Sequence, residues 1–73
     1  MLNYVFETLI KKGLFEDTGK LYTLKNNQYK ARNEEIRGEF KNVLLKSGMA
    51  VNYDLQNRVY VISYKGHILG CYY

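Results

Sequence analysis

The chain has 73 residues, enough for one small domain spanning 1–73, and a chain of that length buries only about 60% of the surface it exposes when unfolded. A composition of 47% hydrophobic, 15% aromatic and 25% charged residues excludes a disordered segment. The net charge of +4 points toward anionic partners.

The charge is unevenly spread. Residues 1–19 set Lys11 and Lys12 against Glu7, Glu16 and Asp17. Residues 20–46 carry Lys20, Lys25, Lys30, Arg32, Arg37, Lys41 and Lys46 against Glu34, Glu35 and Glu39. The positive character therefore belongs to the middle third.

Along the chain, Leu2, Val5, Phe6, Leu9 and Ile10 repeat at the spacing of one helical stripe. Gly13 follows as a helix terminator, which predicts a first helix over about 2–12. In "LFEDTGKLYTL", Asp17, Thr18 and Gly19 are turn formers, and Leu21–Leu24 reads as a short strand. "KNNQYKARN" lacks periodicity and reads as a polar loop or a frayed helix start.

Asn33 is a preferred N-cap, and Glu34 and Glu35 suit the positive end of a helix dipole. Ile36, Phe40, Val43 and Leu44 form the buried stripe of a second helix that Gly48 ends. Three strands follow, Met49–Asp54, Arg58–Tyr64 and His67–Tyr73, the last two joined by Lys65-Gly66.

The expected fold is α+β: two helices packed on one face of a three-stranded antiparallel C-terminal meander, with one extra short strand near residues 21–24. Alternation splits the meander into two faces. Met49, Val51, Tyr53, Tyr60, Ile62, Tyr64, Leu69, Cys71 and Tyr73 should face the helices. Ala50, Asn52, Asp54, Val59, Val61, Ser63, Ile68, Gly70 and Tyr72 should form the outer face, which turns apolar toward its end.

Catalytic constellations are hard to assemble. Asp17-Thr18-Gly19 matches the triplet that carries an aspartic-protease carboxylate, but no apolar strand leads into it, so a turn is the better reading. His67 and Cys71 lie four apart on a strand, roughly 13 Å between backbones, too far to share a metal ion or to act as a nucleophile pair. Glu34, Glu35 and Glu39 fit a solvated helix surface, and the isolated glycines form no phosphate cradle. No enzyme activity, cofactor, metal or small-molecule substrate is expected.

Two binding readings remain. In the first, Val59, Val61, Ile68 and Tyr72 on the outer sheet face dock on a bacterial protein or on a second copy of the chain. In the second, Lys25, Lys30, Arg32, Arg37 and Lys41 neutralise the phosphates of DNA or RNA, with Asn26, Asn27, Gln28 and Tyr29 adding hydrogen bonds and a stacking ring.

The lone Cys71 favours a reducing compartment. The opening "MLNYVFETLIKKG" lacks the charge and apolar run of a signal peptide, and no run reaches the ~20 apolar residues of a membrane span. A cytoplasmic location follows. The Lys-, Asn- and Tyr-rich, proline-free composition suggests an AT-rich genome and has the character of small regulatory proteins of bacteriophages or mobile elements.

Overall fold

The computed structural model describes residues 2–73; Met1, the first residue of the expected domain, lies outside them. The elements run α1 (Leu2–Lys11), β1 (Phe15–Leu21), β2 (Asn26–Ala31), α2 (Glu34–Lys46), β3 (Ala50–Asp54), β4 (Val59–Tyr64) and β5 (His67–Tyr72). The strands form one five-stranded sheet in the order β1-β2-β5-β4-β3. Among the described residues, only β2 and β5 pair parallel.

The helix boundaries have local causes. The Asn33 side chain accepts a hydrogen bond from the Ile36 backbone N–H at 2.9 Å, and so caps α2. At the end of α1, the Gly13 N–H donates to the Ile10 carbonyl and Leu14 to Leu9, each at 2.9 Å. Gly48 and Met49 repeat that pattern on Leu45 and Leu44 at the end of α2. This double closure satisfies carbonyls that a helix end would leave open.

The α+β class and the β3–β4–β5 meander match the expectation, but the sheet is larger. Asp17-Thr18-Gly19 does not turn the chain. Asp17 pairs with Tyr29 and Gly19 with Gln28, which leaves Thr18 as the extra residue of a bulge inside β1. The Asp17 carboxylate accepts the Gly19 N–H at 2.9 Å, and the Thr18 hydroxyl donates to the Gln28 carbonyl at 3.1 Å. Gly19 sits at φ +96°, where a side chain would strain the backbone.

The stretch read as a polar loop is β2, with Tyr29 and Ala31 turned inward and Gln28 and Lys30 outward. The turn lies at 22–25, where a strand was expected.

A second bulge decides the faces. Ser63 pairs with Ile68 but Ile62 pairs with Gly70, so Leu69 is the extra residue on β5. Beyond it Gly70, Cys71 and Tyr72 lie on the faces opposite to simple alternation. Tyr72 therefore points into the core, fully buried, and Cys71 points outward. The inversion turns Gly70 toward α1, where a Cβ would lie 3.3 Å from the Leu2 side chain and 3.7 Å from Phe6, so the helix approaches the strand at its barest point.

The core is largely aromatic. Phe6 stacks on Tyr29 at 3.8 Å between centroids and meets Phe40 at 5.2 Å. Phe40 meets the Tyr72 ring edge-on at 5.2 Å, and Tyr72 stacks on Tyr60 at 5.3 Å. Such pairs add about 0.5–1.5 kcal/mol each beyond the area they bury. Leu2, Phe15, Leu44 and Ile62 complete the cluster.

The outer face is covered in part by the chain itself. β2 pairs with β5 only from Gln28 onward. Before that, the β1–β2 hairpin leaves the sheet at the Thr18–Gly19 bulge, as bulges make strands bend. Its tip reaches the β3–β4 turn, where the Thr23 hydroxyl donates to Asn57 at 2.8 Å. On the way, the Asn27 carbonyl accepts from the Cys71 thiol at 3.4 Å. Val59 and Cys71 are buried as a result.

Candidate functional site: an arginine and tyrosine cleft

The aromatic series of the core does not stop at the core. Tyr60, stacked on Tyr72, meets Tyr53 at 4.9 Å, and Tyr53 is 48% exposed. These rings form one wall of an open cleft of about 360 Å³ lined by Arg37, Tyr53, Arg58, Tyr60 and Tyr73. Each element supplies its part for a local reason. Tyr53 and Tyr60 are cross-strand partners of β3 and β4 on the helix side of the sheet. Arg37 lies in the first turns of α2. Tyr73 is pinned by backbone bonds to β2 on either side of Lys30, its N–H to the Tyr29 carbonyl at 2.9 Å and its carbonyl to the Ala31 N–H at 2.6 Å.

Arg58 reaches the cleft from the β3–β4 turn, and it shares a positive φ with two other turn residues, Lys25 and Lys65. It is held at φ +57°, a left-handed conformation that costs a non-glycine residue roughly 1 kcal/mol or more. The turn around it is built by Asp54, whose carboxylate accepts the N–H groups of Gln56 at 2.9 Å and Asn57 at 3.1 Å and the Asn57 side-chain amide at 3.0 Å. Those donors, Asn57 foremost, hold the Asp54 carboxyl below its ordinary value of 3.8.

A third cation joins from α2: the Lys41 ammonium stands 5.7 Å over the Tyr60 ring, within cation–π range. Behind the cleft wall, the Tyr72 hydroxyl is buried without a hydrogen-bond partner, and burial pushes its pKa up to about 12. The cleft thus sets Arg37 and Arg58, with Lys41 beside them, against the rings of Tyr53 and Tyr60. It can hold an anion and a flat ring at once.

The sequence-predicted residues divide. Of the five bases assigned to nucleic acid, Arg37 and Lys41 meet at the cleft. Lys25 lies in the β1–β2 turn, Lys30 on the outward side of β2 and Arg32 just before α2, all exposed. Lys30 cannot extend the flank of α2, because that helix begins at Glu34 and Lys30 is in a strand.

Of the four residues assigned to protein docking, Val59 is buried under the hairpin and Tyr72 is buried in the core. Val61 is half-buried and Ile68 is exposed. Ile68 instead lines a separate apolar groove of about 760 Å³, together with Leu2, Val5, Met49, Tyr64 and Leu69.

Other candidates stay apart. His67 is exposed at the start of β5 and Cys71 is buried on the outer face. Among the described residues, no three His, Cys, Asp or Glu side chains come together as a metal site. No helix among them is long and apolar enough to cross a membrane.

Arg58, Tyr53, Tyr60 and Tyr73 are cleft residues that sequence patterning assigned elsewhere or passed over. Alternation placed the tyrosines on the helix side but not at its open margin. Nothing in the sequence marked Arg58, since its importance lies in a backbone angle. No protein-family model, curated protein or solved structure matches this chain.

Proposed function

We propose that this chain is a small non-enzymatic binding protein that holds single-stranded nucleic acid in the cleft between Arg37 and Arg58. The observation that carries this reading is the pairing of fixed cations with exposed tyrosine rings in one open cleft. Backbone phosphates need only charge, while unstacked bases need aromatic faces, and single-stranded ligands supply both groups at a spacing of a few ångströms. A duplex keeps its bases stacked inside and leaves the rings of Tyr53 and Tyr60 without partners.

A reducing cytoplasmic location suits the single buried thiol of Cys71.

The test is a titration of fluorescein-labelled single-stranded oligonucleotides, followed by anisotropy across a salt series. Engagement of Arg37, Lys41 and Arg58 predicts a log–log salt slope of about −2, from roughly 0.7 per phosphate neutralised. Tyr53→Ala should cost on the order of tenfold in affinity, the low end of one stacked base. A salt-independent response, or equal affinity for duplex, removes this reading.

A second reading keeps the protein-docking expectation and moves it. The apolar groove lined by Val5, Tyr64, Ile68 and Leu69 leaves large apolar groups in contact with solvent, as docking grooves do. Affinity capture from a bacterial lysate, with and without nuclease, separates the two. A partner retained after nuclease and lost with Ile68→Glu favours the groove.

A further inference from the structure

The sheet ends in two edge strands that are finished in opposite ways. β1 carries the Thr18–Gly19 bulge, the charged residues Glu16, Asp17 and Lys20, and a bend that takes it off the sheet plane. Bulges, charges and bends are the devices that keep an edge from pairing with another chain. β3 has almost none of them. It pairs with β4 residue for residue over Ala50–Asp54, without a bulge, a proline or a lysine, and its one charge sits at its last position. Ala50, Asn52 and Tyr53 are exposed along it.

We propose that the β3 edge is the interface between two copies of this chain, β3 pairing antiparallel with β3 of the second copy about a two-fold axis at Asn52. The two five-stranded sheets become one continuous sheet. Symmetry fixes the register narrowly. In such an interface, residue i faces j and j faces i, and paired residues must lie on the same side of the sheet. The axis must then pass through a residue, and Asn52 is the residue that lets all five positions of β3 pair.

The chemistry of that register is self-complementary. Val51 faces Tyr53 of the second copy, a β-branched and aromatic pair of the kind that stabilises cross-strand contacts. Ala50 faces Asp54, so no like charges meet. Leu55, 83% exposed just past the strand, comes beside the half-buried Met49 of the second copy. Because Tyr53 also lines the arginine cleft, the pairing sets two clefts side by side, with their Tyr53 backbones roughly 8 Å apart. The interface itself rests on the edge and not on what the cleft binds.

Sedimentation velocity over a concentration series, combined with cysteine cross-linking, tests the proposal. The wild type should show a concentration-dependent monomer–dimer equilibrium. Asn52→Lys, which puts two like charges at the axis, should raise the dissociation constant at least tenfold without changing the circular dichroism. Asn52→Cys should form a disulfide-linked dimer in a glutathione buffer. Ala50→Cys should not, because its two copies lie roughly 14 Å apart, beyond disulfide reach. A monomer at near-millimolar concentration overturns the proposal. So does a dimer indifferent to Asn52→Lys, or cross-linking of Ala50→Cys as readily as Asn52→Cys.

Discussion

The Thr23 hydroxyl donates to the Asn57 side-chain oxygen at 2.8 Å, joining two turns that lie 34 residues apart in sequence. Through Asn57 the contact continues to the Asp54 carboxylate and so to the turn that presents Arg58. One short network therefore does two things. It straps the β1–β2 hairpin over Val59 and Cys71, and it shapes one wall of the cleft.

The strap makes a prediction about Cys71. The thiol is fully buried beneath the hairpin, so a thiol reagent reaches it only when the hairpin lifts. Thr23→Ala removes a bond worth about 1 kcal/mol, which should speed the reaction roughly fivefold. Gly19→Val, which strains the bulge where the hairpin bends, should speed it further. Ellman's reagent under native conditions reads both rates; unchanged rates would mean that something else covers the thiol.

Arg58 separates stability from binding. Arg58→Gly relieves the left-handed backbone at φ +57° and should raise stability by up to about 1 kcal/mol in urea unfolding. The same variant should lose at least tenfold in affinity for single-stranded oligonucleotides. Stabilisation with undiminished affinity would show that the strain serves the turn and not the ligand.

Tyr72 carries a buried hydroxyl with no partner, next to ring contacts that phenylalanine would keep. Tyr72→Phe should leave stability unchanged or raise it by about 1 kcal/mol, since an unsatisfied polar group leaves the core. The pH dependence follows from the raised pKa. The unfolded phenol ionises near 10.0 and the folded one only near about 12, so its contribution is complete below pH 10 and is lost as pH rises toward 12. Urea midpoints measured across that window should fall steeply for the wild type and less for Tyr72→Phe.

Asp54 sets the acid side. Its folded pKa lies below the ordinary 3.8, so the stability it contributes is present above that value and fades as pH falls through the folded pKa. Asp54→Ala should weaken the β3–β4 turn at neutral pH and flatten the acid limb of the stability curve. Chemical denaturation at stepped pH between neutrality and strong acid measures both effects. An acid limb identical to that of the wild type would assign the loss to other carboxyls.

How much of this was legible in the residues can be judged at particular places. Both helices were, because the Phe6 and Phe40 stripes, the Asn33 cap and the glycine terminators are local signals. β2 was not, because its inward residues are only Tyr29 and Ala31, too few to show alternation among Asn26, Gln28 and Lys30. Asp17-Thr18-Gly19 has the chemistry of a turn and is used as a bulge, a choice made by pairing with Tyr29 and Gln28 far along the chain.

The outer face was misassigned from one residue. Leu69 adds a single position to β5, and the inversion it causes moves Tyr72 inward and Cys71 outward. The isolated Gly70 was the available hint, since glycine inside a strand marks a bulge or a close approach. Half of the cleft, Arg37 and Lys41, was visible as charge. The other half depends on how β3 and β4 set their tyrosines at an open margin.

The most direct test of the central claim is chemical-shift mapping of the labelled protein during titration with a short single-stranded oligonucleotide. Perturbations should centre on Arg37, Lys41, Tyr53, Arg58, Tyr60 and Tyr73 and disappear as salt is raised. Perturbations confined to the groove around Val5 and Ile68, or spread evenly over Lys20, Lys25 and Lys30, would contradict it.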